Sequence, residues 1–442
     1  MHAGRKLGRD ATTITGMPTP HWLRDLDRQR PAMLALLHAW AAIGSGSRHP
    51  PGLQAMASEL QRAFTPIADH AQQIDCPPEP TVSDTGELIE KPIGPVLLFH
   101  KRPHATRRVL LGIHYDTVYG PEHPFTSVTR QADGWVRGPG VADAKGGIVV
   151  LLHALKAFEL SPQAHKLGWT VFLNADEEIG SPGSAATLRS LAPRYDLGMI
   201  YEPALPDGAV VSARGGSGMF TLVVHGRSAH VGRDPAHGRN AIHHLASLIL
   251  RLTELPRACA TPDDPSPVIV NVGRVVGGHV VNMVPDLAIA RFNLRVATPA
   301  AQHAVERRLA GLLAESPPDG VRVELHGGFH APPKPLDAPT QSLLEELRRI
   351  APEAGIPDLR WRTTAGVSDG NKLAAAGLPN IDNLGVVGTD LHSDREAMDP
   401  DSLVSRATLS ALLLDRYARG EFPTPLRCPH APSAEPGPSS PA

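Results

Sequence analysis

The chain has 442 residues, too many for one ordinary core of about 150, so two domains are expected. Charged residues make up 20% and hydrophobic residues 41%, which excludes a disordered or membrane-embedded chain. With 43 basic and 45 acidic residues the net charge is -2 and no extended basic stretch occurs, which argues against nucleic acid as a partner.

In chain order, residues 1–20 carry charge but lead into no apolar run of signal-peptide type, and nowhere do about 18 consecutive apolar residues occur. This stretch is expected to be a flexible N-terminus of a cytoplasmic protein that does not touch a membrane. Leu23, Leu26, Met33, Leu36, Leu37 and Trp40 fall near helical spacing, and a second helix is expected from Gly52 to Phe64, both covering a sheet. Short apolar runs then alternate with helical patterns: VLLF around 97–99, RVLLGI before His114, a helix from Gly146 to Leu160, and WTVFLN before Glu177. That alternation predicts an α/β domain with a mostly parallel central sheet. From about Ser212 the order becomes strand, helix, strand, strand, helix, strand, the split βαβ pattern of a ferredoxin-like α+β unit. The α/β texture resumes with a helix from Gln341 to Ile350, a run ending at Leu384 and a helix from Ser402 to Arg419. The expected organisation is a catalytic domain at 21–212 and 328–420, interrupted by a smaller domain at 213–327 and followed by a disordered, Pro- and Ser-rich tail at 421–442. Cys76, Cys259 and Cys428 are widely spaced with no CxxC pair, so neither a disulfide framework nor a cysteine metal site is expected.

In open parallel sheets ligands bind beyond the carboxyl ends of the strands. Four apolar runs end in polar residues: His114-Tyr115-Asp116, Glu177-Glu178, Glu202, and the stretch through Asp390 to His392. Asp143 lies in the glycine-rich GPGVADAKGG at the start of a helix. Any one of these is by itself more often a solvated loop residue, and Asp143 alone could be a helix cap. Their joint occurrence at separate strand ends argues for a metal site. Two imidazoles with several carboxylates suit Zn²⁺ and, less selectively, Mn²⁺ or Co²⁺. His114, Asp143, Glu178, Glu202 and His392 are more ligands than one zinc needs, and a carboxylate can bridge two ions. Adjacent side chains in extended chain point in opposite directions, so Glu177 and Glu178 are not expected on the same ion, which leaves one of them for acid/base work.

The motifs HYDTVYG, GPGVADAKGG, LNADEEIGSPGS, YEPA, GRSAHVGRDP, NMVP and LHSD, in this order, resemble the dinuclear zinc hydrolases typified by glutamate carboxypeptidase, a family that includes acetylornithine deacetylase, succinyl-diaminopimelate desuccinylase and the aminoacylases. The overall texture looks closest to the glutamate carboxypeptidase branch. The resemblance implies a catalytic zinc-peptidase domain interrupted by a lid and dimerisation domain, with two Zn²⁺ per chain (Co²⁺ or Mn²⁺ in their place). By it, Asp143 bridges both ions, His114 and Glu202 serve one, and Glu178 and His392 the other. Glu177 is then the general base, taking a proton from the attacking water and passing it to the leaving amine, and Asp116 orients His114. His230 is implied to reach a neighbouring subunit's site in a homodimer, Arg295 to fork onto the substrate carboxylate, and Asn282 to bond the same region. Glu at position 202 goes, in the family, with carboxypeptidase and deacylase rather than aminopeptidase activity. The substrate class implied is a small peptide or N-acyl amino acid. The competing readings are an N-acyl-amino-acid deacylase, a binding protein without catalysis, and a two-metal phosphoesterase. Ala144 departs from the residues that relatives place after the bridging aspartate, at a peptide that is cis in the family.

Overall fold

A computed structural model describes residues 20–422 apart from 263, 264, 266 and 316. The expectations of a flexible stretch at 1–20 and a disordered tail at 421–442 fall almost wholly outside the described residues, as does Cys428. Both N-terminal helices form, α1 (Leu26–Ala41) and α2 (Pro50–Phe64). The larger sheet contains β1 (His70–Ile74), β2 (Val96–Lys101), β3 (Arg107–His114), β4 (Leu167–Asn174), β5 (Leu197–Ile200) and β10 (Asn380–Ile381), in the spatial order β1-β2-β4-β3-β5-β10. The pairs β4–β3, β3–β5 and β5–β10 are parallel, whereas β1–β2 and β2–β4 are antiparallel. The parallel half is the part that matters for the site, because only there do neighbouring strands end on the same edge.

Alternation along these strands decides which layer each side chain enters. Leu97, Phe99, Val109, Leu111, Ile113, Trp169, Val171 and Leu173 face a core built with α1, α2, α3 (Lys145–Phe158) and α7 (Asp401–Arg419). Val96, Leu98, Leu110, Phe172 and Ile200 face a second core with Leu188, Leu191 and Leu373 from the short helices Ala185–Leu191 and Asp369–Ala375. The sheet is therefore covered on both faces, as its continuous apolar strands require.

A second, wholly antiparallel sheet holds β6 (Gly216–His225), β7 (Val268–Gly277), β8 (Leu287–Val296) and β9 (Arg322–Ala331) in the order β7-β8-β6-β9. Helices α4 (Ala241–Thr253) and α5 (Pro299–Ala314) supply Leu245, Leu248, Leu252, Val305 and Leu309 to a separate core with Phe220, Leu222, Val224, Phe292 and Leu294. This is the split βαβ arrangement expected of the inserted unit, and its last strand runs past 327 to Ala331. The residues between, Met219, Thr221 and Val223 on β6, lie on the face away from the helices. Helix α6 (Ala338–Ile350) returns the chain to the first core through Leu343, Leu344 and Leu347. Among the described residues no helix is long and apolar enough to cross a membrane.

Glycine fixes how closely α3 approaches the end of β5. A Cβ added at Gly147 would lie 2.1 Å from the Tyr201 carbonyl oxygen, next to Glu202. Gly147→Ala is expected to cost about 1–3 kcal/mol through overpacking, read as a lower urea midpoint at unchanged slope; an unchanged midpoint would mean that this contact does not limit the packing.

Candidate metal centre

Strands β4, β3 and β5 are adjacent and parallel, so His114, the turn after Asn174 and Glu202 arrive at one edge because of register alone. Asp143 comes from the loop leading into α3, and its carboxylate does not cap that helix: the N-cap position is Ala144, which has no side-chain cap. Instead each carboxylate oxygen faces a different imidazole. Oδ1 is 3.1 Å from His114 Nε2 and Oδ2 is 3.2 Å from His392 Nε2. His114 Nε2 also lies 3.7 Å from Glu202 Oε2, and His392 Nε2 lies 3.2 Å from Glu178 Oε2. Asp143 thus stands between two sets of donors, one with His114 and Glu202, the other with His392 and Glu178. The Asp143–Ala144 peptide is cis, the form the resemblance implied despite Ala144.

His114 keeps Nε2 toward the cluster because Nδ1 is engaged behind it, 3.0 Å from the Asp116 carbonyl oxygen and 3.3 Å from Asp116 Oδ1. Asp116 is in turn held by Ser47 Oγ, which donates to Oδ2 at 2.6 Å, and by the backbone N–H groups of Glu177 and Glu178. Those last bonds correct one step of the sequence argument. Glu177–Ile179 is not extended chain but a single 3₁₀ turn closed by Gly180 at φ 93°, because the Asp116 carboxylate gathers the turn's N–H groups. The turn, rather than strand alternation, separates the two glutamates. His392 and Asp390 adopt positive φ, 60° and 53°, a conformation costing non-glycine residues about 1–3 kcal/mol each and often found where a site demands it.

The electrostatics call for cations. Burial, reinforced by the Asp143 charge, pushes the Glu178 carboxyl up to about 7. Burial and the nearby Glu202 raise Glu177 well above the usual carboxylate range, and burial raises Glu202 as well. Hydrogen bonds to Asp143 and Glu178 push His392 up to about 11. The cluster takes up protons in place of positive ions, so protons and metal compete for it. His114, Asp143 and Glu178 present ligand atoms within 4.8 Å of one another, as do His114, Glu177 and Glu202. Glu178 Oε1 is buried without a hydrogen-bond partner, an acceptor left for a cation. The donor set fits divalent zinc, with cobalt or manganese also compatible.

The other expected site residues lie on the second sheet's unit. The loop after β6 pairs with the β7–β8 connection: His230 bridges Met283, and the Val231 N–H donates to the Asn282 carbonyl at 3.1 Å. His230 and Asn282 are therefore neighbours. Arg295 lies on β8, half-buried, its Nε donating to Asn293 Oδ1 at 3.0 Å. Among the described contacts none joins these three directly to the carboxylate cluster.

The chain matches the description "Peptidase family M20/M25/M40" over residues 110–416. It is 26% identical over 400 residues to carboxypeptidase G2 of a Pseudomonas species, covering 89% of this chain and 91% of that protein. It is 28% identical over 341 residues to succinyl-diaminopimelate desuccinylase of Bordetella petrii, covering 72% and 86%. Its fold superimposes on the solved M20 family metallo-carboxypeptidase from Sulfolobus solfataricus with a TM-score of 0.63 at 15% identity, over 88% of this chain and 99% of that one.

One residue that sequence reasoning passed over ties the site together. Glu396, fully buried, accepts from the N–H groups of Ala142 (2.9 Å) and Asp143 (3.0 Å) through Oε1, and from the Gly140 N–H (3.2 Å) and Tyr119 hydroxyl (2.7 Å) through Oε2. It joins the His392 loop to the Asp143 loop, and its spacing four residues beyond His392 was the available signal. Glu396→Ala leaves three buried N–H groups unmet and is expected to weaken metal binding about 10- to 100-fold; Tyr119→Phe should be milder. A competition titration against a chelating dye measures both, and undiminished affinity in Glu396→Ala would remove it from this role.

Proposed function

The chain belongs to peptidase family M20/M25/M40, and from that premise we propose that it cleaves an amide bond next to a free carboxylate, as a carboxypeptidase of the glutamate carboxypeptidase type, with Glu177 as general base. The observation that carries the reading is the Asp143 carboxylate set between two imidazoles, each with its own glutamate. His114, Glu202 and Asp143 would hold one ion, His392, Glu178 and Asp143 the other. When bound, such a pair polarises a carbonyl and acidifies water.

The protein's own groups do the rest. Asp116 fixes the tautomer and ring direction of His114. Glu177, on the same turn as Glu178 but grouped with His114 and Glu202, is the glutamate left for acid/base work. It takes the proton from water and returns it to the departing amine. Arg295 supports recognition of a carboxylate, because a guanidinium forks onto two carboxylate oxygens. It borders a cavity of about 340 Å³ with Pro267, Ile269, Val296, Arg214 and Lys334. Arg214 and Lys334 are already committed, to Asp382 and Asn383 and to Asn380, whereas Arg295 is held through Nε to the neutral Asn293.

A second reading, an N-acyl-amino-acid deacylase, is favoured by the match to a desuccinylase and differs only in the group on the acyl side. In either case His230, beside Asn282 on the lid, would complete the site of a second copy in a homodimer. The exposed Ile269 and Val275 on edge strand β7, with Val280 and Val281 beyond it, support association through this unit.

Chelation is expected to abolish hydrolysis and zinc to restore it. Glu177→Ala should keep two ions per chain while kcat falls about 10²- to 10⁴-fold, measured by metal analysis and turnover together. Loss of an ion would make Glu177 a ligand instead. Side-by-side kcat/KM on C-terminal glutamate dipeptides and N-acetyl amino acids separates the two readings, the first predicting preference for the dipeptides.

A further inference from the structure

Asp116 gathers the N–H groups of the turn that carries Glu177 and Glu178. A second acid, from a distant part of the chain, holds the two ends of that turn. Asp369 is buried, and its Oδ2 accepts from Asn174 Nδ2 at 2.7 Å, on the last residue of β4. Its Oδ1 accepts from Ser181 Oγ at 2.6 Å, directly after Gly180. Glu177 lies between these two bonds. Ser181 has φ 59°, a left-handed setting that a residue with a side chain keeps only where its surroundings enforce it. In that setting its N–H donates to the Asp176 carbonyl at 2.7 Å, while the Gly180 N–H donates to the Glu177 carbonyl, also at 2.7 Å. The bond from Ser181 to Asp369 therefore bears directly on how the turn closes.

Asp369 can index the turn only if it is itself fixed. It opens the helix Asp369–Ala375, seven residues long and too short to keep its shape unaided. The residues on either side anchor it. Ser368 caps the helix by accepting from the Gly370 N–H, and its Oγ donates to Asp382 Oδ2 at 2.6 Å, the oxygen that also takes Arg214 Nε at 2.7 Å. The chain passes between its two units just before β6 and just after β9. Asn371 Nδ2 donates to one carbonyl on each passage, Gly215 at 2.9 Å and Pro332 at 2.7 Å. The passages also bond to each other, Arg214 and Lys334 exchanging both backbone bonds at 2.9 Å. Asp369 thus reaches the turn from a braced junction. Lys372 Nζ donates to Asp369 Oδ1 at 2.9 Å and answers the charge within the helix itself, so the bonds to Asn174 and Ser181 are not needed for neutrality.

Resting on the reading that Glu177 is the general base, we propose that Asp369 is its positioning residue, setting where the Glu177 carboxylate stands by gripping both ends of the turn. Among the described contacts none of its bonds reaches a residue of the two donor sets around Asp143. It acts on the base and leaves the ions alone.

The test is kinetic, on the zinc-loaded enzyme with whichever of a C-terminal glutamate dipeptide and an N-acetyl amino acid it cleaves faster. Asp369→Asn keeps the size of the side chain but loses the charge and one acceptor. It is expected to lower kcat about 10- to 100-fold, the scale set by a small misplacement of a catalytic group, with KM and two ions per chain unchanged. Because Asp369 acts through Glu177, the loss should shrink below about threefold when Asp369→Asn is added to Glu177→Asp, in which the base is already displaced. Ser181→Ala, which removes one bond and keeps the ion pair, should show the same pattern at smaller size, and it carries the test if Asp369→Asn does not fold. An unchanged kcat, a loss of metal, or an equal fold-loss in the parent and Glu177→Asp backgrounds overturns the proposal. If Glu177→Ala turns over as fast as the parent, the reading of Glu177 as base fails first, and the role of Asp369 with it.

Discussion

Four carboxylates, Asp143, Glu177, Glu178 and Glu202, share one largely buried space with two imidazoles, and that imbalance of charge is what the surrounding structure serves. Burying an ionised carboxylate costs several kcal/mol unless a cation answers it. Elsewhere in the chain buried acids are answered by neighbours, as Asp382 is by Arg214 and Asp369 by Lys372. At this edge of the sheet no lysine or arginine is recorded against the cluster among the described ion pairs, and Glu178 keeps an oxygen with no partner at all. Divalent ions resolve the imbalance.

The fold meets the demand in stages. Parallel pairing of β4, β3 and β5 delivers ligands from three strands to one edge. A ring of bonds behind them removes their freedom: Asp116 on His114 and on the Glu177 turn, Glu396 on the Asp143 loop. Neither of these acids belongs to the two donor sets around Asp143, yet each fixes a group that does. The second sheet solves a different problem. Its helix-facing row, Phe220, Leu222 and Val224, belongs to a self-contained core, which leaves the opposite row free to meet the turn that carries Glu177 and Glu178, where Met219 lies against Gly180.

Much of this was legible in the sequence where chemistry is local. His114, Glu178, Glu202 and His392 each follow an apolar run or a short loop after one, and strand-end logic alone placed them together. The strand and helix order of the second unit was equally plain, because alternation and helical spacing are read within a window of ten residues. What escaped depends on contacts distant in sequence. Glu396 in SDREAM reads as a surface charge, and nothing nearby reveals that three N–H groups from residues 140–143 point at it. Asp369 reads as an ordinary acid in the first turn of a helix, since its partners Asn174 and Ser181 lie far back in the chain. The Glu177 turn was read as extended chain because the acceptor that curls it, Asp116, belongs to another strand.

Whether two ions flank Asp143 is the point on which the account stands. An anomalous difference map at the zinc edge, from crystals of the purified protein grown with zinc, asks this without reference to any substrate. The account predicts two peaks, one on the His114 and Glu202 side of Asp143 and one on the His392 and Glu178 side. A single peak, or peaks that leave Asp143 uncoordinated, would contradict it.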